Sequence, residues 1–324
     1  MQHRFTVLVV LPTLLLVVAA LPGWAQTRGA SAPANATASN PLKVALLHWY
    51  AANTTTSFSV GDDPLGVAFD GANIWTANSG DGTVTKLAAN DGTMLATYTI
   101  GAGYQLYGIT FDGANMWVSS AAGTVTKLQA STGKILGTFA VGTNPSFMAF
   151  DGANIWVPNG TTTLTKLRAS DGKNLGNFTV SFSPMAVAFD GTNIWVACGG
   201  TSGGVVSKVS PSNGAVLGTY SVGTAPTAIA FDGANLWVTN RGDGTVTKLQ
   251  ASSGIVLGTF SVPLLPFGVA FDGANIWVSS ADGVAKLRVS DGANLGTFPG
   301  GNGAGVAFDG ANIWVALSHT LGKY

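Results

Sequence analysis

The groups that could do acid–base chemistry in this 324-residue chain are few and of one kind: all 15 carboxylate side chains are Asp, and Glu is absent. Seven of them stand in one recurring context, Phe-Asp-Gly-x-Asn-x-Trp, at Asp70, Asp112, Asp151, Asp190, Asp232, Asp272 and Asp309. Asp81, Asp91, Asp171, Asp243, Asp282 and Asp291 each precede a glycine in other turn-like stretches, which leaves Asp62 and Asp63. General acid–base catalysis needs two titratable groups whose environments push them apart. A carboxylate repeated with the same neighbours along the chain instead reads as structural, accepting backbone N–H bonds in a turn. The histidines are His3, His48 and His319, and no His/Cys/Asp set has metal-ligand spacing. Neither a nucleophile elbow nor a phosphate loop occurs. These residues therefore assign no catalytic group, metal or cofactor, and the reading they support is non-enzymatic. The single cysteine, Cys198, excludes an intrachain disulfide and fits a small buried apolar site.

The basic and aromatic groups recur in the same way. Lys86, Lys127, Lys166, Lys208, Lys248 and Lys286 share one position in a Thr-Val-Thr-Lys-Leu-like segment, where they read as snorkelling edge residues that discourage strand-to-strand aggregation. The seven marker tryptophans, Trp75 through Trp314, read as packing anchors. Arg241-Gly242-Asp243 spells an adhesion tripeptide. It occupies the loop position that Asn78-Ser79-Gly80-Asp81-Gly82 fills in another repeat, so it reads as a loop variant.

The elements that must position these side chains follow from the repeat. The marker begins at Phe69, Phe111, Phe150, Phe189, Phe231, Phe271 and Phe308, in steps of 42, 39, 39, 42, 40 and 37 residues. Seven copies at this spacing predict an all-β, seven-bladed β-propeller with four antiparallel strands per blade. In the first copy, strand A is expected over Gly66–Phe69, B over Asn73–Ala77, C over Thr83–Leu87 and D over Leu95–Ile100, between Gly-rich turns. The last copy supplies strands A and B. The segment Val44–Gly61 aligns without gaps on Val84–Gly101, so N-terminal strands C and D are expected to close the ring by completing that blade.

Met1–Ala25 has a basic start at Arg4, an apolar run over Val7–Leu21 and small residues at Gly23 and Ala25, the pattern of a secretory signal peptide. Residues 26–42 read as a flexible linker and 43–324 as the propeller. The expected location is the periplasm or the cell exterior, with no membrane span after cleavage. Net charge is zero and charged residues are only 9%, scattered rather than striped, which argues against nucleic acid as a partner. A monomer is expected.

From Val44 to about Leu317, the VGxxPxGVAFDG…NIWV…GTVTKL pattern resembles the YVTN/NHL-type propellers and the secreted virginiamycin B lyase-like group. That resemblance implies the fold, and as an alternative function a lyase-like enzyme with displaced catalytic residues. Enzymes of that group are understood to use a histidine base and a glutamate-linked Mg²⁺; this chain has no Glu to match, and His319 fits no family motif. One propeller fold hosts many activities. Function is better sought where the repeat breaks. The D–A loops vary most, and with the B–C loops they are expected on one face around the channel mouth. The contact candidates there are Tyr104, Gln105, Tyr107, Phe147, Phe182, Met185, Arg241, Leu265 and Phe267, a set suited to a protein, peptide or glycan ligand; the alternative is that the aromatic and Met side chains among them plug the channel mouth.

Overall fold

The computed structural model describes residues 56–101 and 105–324. The signal-peptide and linker readings, residues 43–55 and the candidate Tyr104 lie outside the described residues. Seven four-stranded antiparallel sheets form the ring, and each runs A-B-C-D in order. In blade 1, strand A is Pro64–Phe69, B is Asn73–Asn78, C is Thr83–Ala88 and D is Met94–Thr99. No helix occurs among the described residues.

Local chemistry fixes each blade. The A–B turn needs a left-handed residue, supplied by Gly71 at φ 96°. Its partner Asp70 accepts the amides of Ala72 and Asn73 on Oδ1, at 2.9 and 2.7 Å. The C–D turn needs glycine for two reasons. Gly133 has φ 73°, and a Cβ there would run into the ring of Tyr98 from the preceding blade. The apolar core lies chiefly between blades: Trp75, Ala77 and Val84 of blade 1 pack with Leu106, Met116, Val118 and Leu128 of blade 2. Each marker Trp lies near the aromatic residue of its own strand D, as in Trp75–Tyr98 at 5.6 Å between centroids. Six of the seven indoles are fully buried, each contributing roughly 4–6 kcal/mol of apolar burial as an upper bound.

Closure differs from the expectation. Blade 7 takes strands A, B and C from the C-terminus, Val306–Phe308, Ile313–Leu317 and Thr320–Lys323, and only strand D, Thr56–Ser59, from the N-terminal side. Thr320 to Lys323 pair with Leu317 to Trp314 on one side and with Ser59 to Thr56 on the other. Thr320-Leu321-Gly322-Lys323 matches the Thr-Leu-Thr-Lys of Thr163–Lys166 at three of four positions. It buries Leu321 fully and brings Lys323 over Trp314, which Leu46 of the competing Val44–Leu47 segment could not do. The expected strand D is present, with Phe58 5.4 Å from Trp314.

The lysines also differ from the expectation. Lys86 is 8% exposed, and its ammonium lies 4.8 Å from the centre of the Trp75 ring. Every blade repeats this stack, from Lys127 over Trp117 to Lys323 over Trp314. Six of the seven also donate to a backbone carbonyl of the next blade, beginning with Lys86 to Ala130 at 2.8 Å and ending with Lys323 to Ala89 at 3.0 Å. The ring face and the carbonyl replace the water that burial removes. These residues tie blades together rather than guard an edge.

Candidate functional site

Two faces offer chemistry. On the face of the A–B and C–D turns, every blade carries the same Asp–Trp–Lys set. Asp70 Oδ2 accepts the Trp75 indole N–H at 2.7 Å, while Lys86 covers the ring. Burial pushes the Asp70 carboxyl up, but hydrogen bonds from Trp75, Asn73 and the amides of Ala72 and Asn73 together outweigh it and hold its pKa below the usual carboxylate range. The same balance lowers the other six marker carboxyls. Shallow inter-blade grooves of about 450–500 Å³ lie here, lined in one case by Asp70, Asn73, Lys86, Asn115 and Gln129. Their Asp and Lys groups are already committed to bonds within the frame, so volume alone does not make these grooves the better site.

On the opposite face the D–A and B–C loops do meet. The Ser79 and Gly80 amides donate to Asp63 and Asp62 carbonyls, both at 2.9 Å, and Ala281 donates to Leu264 at 3.0 Å. The central channel opens here. Its cavity, about 140 Å³, is lined by Val67, Ile109, Phe147, Val187, Ile229 and Phe267 among others. That is below the roughly 300–1,000 Å³ of small-molecule pockets.

The sequence-derived candidates divide into a plug and a rim. Phe147 and Phe267, half-buried, meet edge to face at 5.7 Å. Phe147 comes to this position because its stretch leaves the blade 3 sheet. Its amide donates to Met185 O at 3.1 Å and its carbonyl accepts from Val187, forming a parallel bridge to blade 4. Strand A is accordingly only two residues in blade 3. Tyr107 and Met185 are not loop residues; both lie half-buried in strand A of their blades. The Tyr107 hydroxyl donates to Gln105 Oε1 at 2.9 Å.

The rim is exposed. Phe182 is 51% accessible, Leu264 67% and Leu265 48%, and Gln105 is also exposed. The exposed Arg241 guanidinium lies 5.9 Å from the centre of the Phe267 ring. Leu264, the most exposed of the rim apolar side chains, was not among the sequence-derived candidates. The pair of leucines between Pro263 and Pro266 was the signal for it. Each of six D–A loops holds one non-glycine residue in the left-handed region: Asp63, Asn144, Ser183, Ala225, Leu265 and Asn302. Asp and Asn visit that region readily, whereas Leu265, at φ 54°, does so at a cost.

The remaining candidates for chemistry are committed or solitary. The Asp243 carboxylate accepts the Thr224 amide at 2.6 Å and its hydroxyl, so the Arg-Gly-Asp carboxylate is used within its own loop pair. His319 Nδ1 lies 3.3 Å from Asp62 Oδ1, with both side chains at least 70% exposed. The Mg²⁺ of a lyase-like mechanism does not fit this chain. Glu is absent, and among the described residues no three His, Cys, Asp or Glu side chains converge as a ligand set. Cys198 is fully buried, and burial pushes its thiol up to about 12. Among the described residues no helix is long and apolar enough to cross a membrane. No protein-family model and no curated protein matches the chain.

Proposed function

We propose that this propeller is a non-catalytic binding scaffold that engages a protein, peptide or glycan ligand through the rim of its D–A/B–C loop face. The observation that carries the reading is the apolar rim itself: Phe182, Leu264 and Leu265 are exposed large hydrophobic side chains on divergent loops of one face. Exposed apolar side chains among polar loop atoms, with a cation on the same face, here Arg241, are the usual composition of a contact surface. The scaffold acts in the periplasm or outside the cell, a location that rests on the signal-peptide pattern of Met1–Ala25.

The test is binding of the labelled protein to glycan and peptide arrays, beside a Phe182→Ala/Leu264→Ala/Leu265→Gly variant. A ligand held by the first and lost by the second, at unchanged melting temperature, is the expected result. Equal retention by both, or no retained ligand, would remove the rim as the site.

A further inference from the structure

The outer circumference of the ring carries a second apolar feature. Among the described residues, strand D is the outermost strand of every sheet and is hydrogen-bonded on one side only. Natural β-proteins blunt such edges with charge, proline, a short strand, a β-bulge or a covering element, and of these six of the edges here carry a bulge, confined to the start of the strand. Here the seven outer strands contain no charged residue and no proline. The strand-C lysines that might have served are turned inward over tryptophans.

A bulge modifies each of the six edges of blades 1 to 6. Lys86 pairs with Ala96 and Leu87 with Met94, so Leu95 has no partner on strand C. The same shift frees the equivalent leucine in the other five. Each is well exposed: Leu95 51%, Leu136 48%, Leu175 41%, Leu217 55%, Leu257 51% and Leu295 45%. Beyond the bulge the edge resumes a regular alternation, with Thr97 and Thr99 exposed and Ala96 and Tyr98 turned inward.

We propose that these edges are a lateral self-association surface, on which the outer strand of one copy pairs antiparallel with the outer strand of a second copy of this chain. The partner follows from three properties of the edge. Its unpaired main-chain groups complement those of an identical antiparallel strand. Its neutrality removes the like-charge repulsion that normally separates copies. Its sequence, Leu-Gly-Thr-aromatic in four blades and close variants in two more, makes each edge a match for any other. A strand of about six residues spans only some 20 Å, and one such contact falls short of the ~1,200 Å² of a stable interface. A single pair is therefore weak, and a lone copy predominates in dilute solution. Six edges spread around the rim let contacts add up in the plane of the ring, giving open-ended growth at high concentration.

Sedimentation velocity on the protein, from micromolar to near-millimolar concentration, tests this. The weight-average mass is expected to rise with concentration. A sixfold Leu→Lys variant at positions 95, 136, 175, 217, 257 and 295 is expected to stay at the mass of one chain, with circular dichroism and melting temperature preserved. A Phe182→Lys/Leu264→Lys variant, altered on the loop face instead, is expected to associate as the parent does. The proposal is overturned if the parent stays a single chain throughout, if the folded edge variant associates as the parent does, or if the loop-face variant alone loses association. A misfolded sixfold variant is replaced by Leu95→Lys/Leu136→Lys/Leu217→Lys, which is expected to weaken association measurably and overturns the proposal if it does not.

Discussion

The turn face and the loop face of the ring are built from the same blades but obey different rules. On the turn face, seven Asp–Trp–Lys sets repeat with indole–carboxylate distances of 2.7–2.8 Å and ammonium–ring distances of 4.8–5.1 Å. Each carboxylate holds an indole, and each ammonium covers that ring. On the loop face the loops diverge, and large apolar side chains stand in solvent. Repetition marks the residues that hold the ring. Divergence marks those that holding the ring does not require, and the proposed contact role is drawn from the exposed ones among them.

The largest blow to the frame should come from its seam. Deleting Thr320–Tyr324 removes strand C of blade 7, the buried Leu321 and the Lys323 stack on Trp314. Loss of cooperative thermal unfolding is expected, since a buried Leu truncation alone costs about 2–5 kcal/mol. If the shortened chain melts as the parent does, closure does not depend on the C-terminal strand.

Acid should act on all seven marker carboxylates together. Their folded pKa values lie below the ordinary Asp value of about 3.9. Their contribution to stability is therefore complete above that value and is lost as pH falls through the lower folded values. The melting temperature is expected to be level on this account from pH 7 to 5 and to drop steeply below about pH 4. A drop already complete by pH 5 would show that other groups control it. At one blade, Asp112→Ala leaves the buried Trp117 indole without its acceptor, at an expected cost of about 2–3 kcal/mol in denaturant unfolding.

The loop face should respond unevenly. Phe267→Ala removes the edge-to-face contact with Phe147 and should cost about 1–2 kcal/mol. Phe182→Ala, at an exposed rim position, should stay within about 0.5 kcal/mol of the parent. Equal costs would erase the distinction between plug and rim. The smallest effect should be at Cys198, whose raised pKa and full burial predict no labelling by thiol reagents at pH 8 until the chain unfolds.

The frame was legible in the sequence because its chemistry is local and recurs. Phe-Asp-Gly-x-Asn-x-Trp places the turn, its carboxylate and the indole within seven residues. The inward turn of the lysines was missed because it depends on strand pairing: Trp75 sits opposite Lys86 only once B and C form a hairpin. The acceptor, Ala130, lies 44 residues along the chain from Lys86. Closure was misplaced because Val44–Leu47 and Thr320–Lys323 both carry a strand-C pattern, and Lys323 alone supplies the cation. A plug of the channel mouth was legible as the alternative to contact, but the side chains that form it were not. Phe147 and Phe267 are 120 residues apart, and their meeting is a property of the ring. The rim could be pointed to, as the places where the repeat breaks, but not ranked by exposure.

The lysine ties bear on how such a chain can change in length. Each tie points the same way around the ring, from one blade to the carbonyl of the next, and Lys323 returns it to the first. The ties join six of the seven blade pairs, so each of blades 1 to 5 brings one donor and one acceptor with it. Duplication or excision of a unit of about 40 residues leaves no cation stranded at the join. A break inside a unit separates an ammonium from its indole. The unit that keeps an ammonium with its indole is thus the whole repeat, not the single strand.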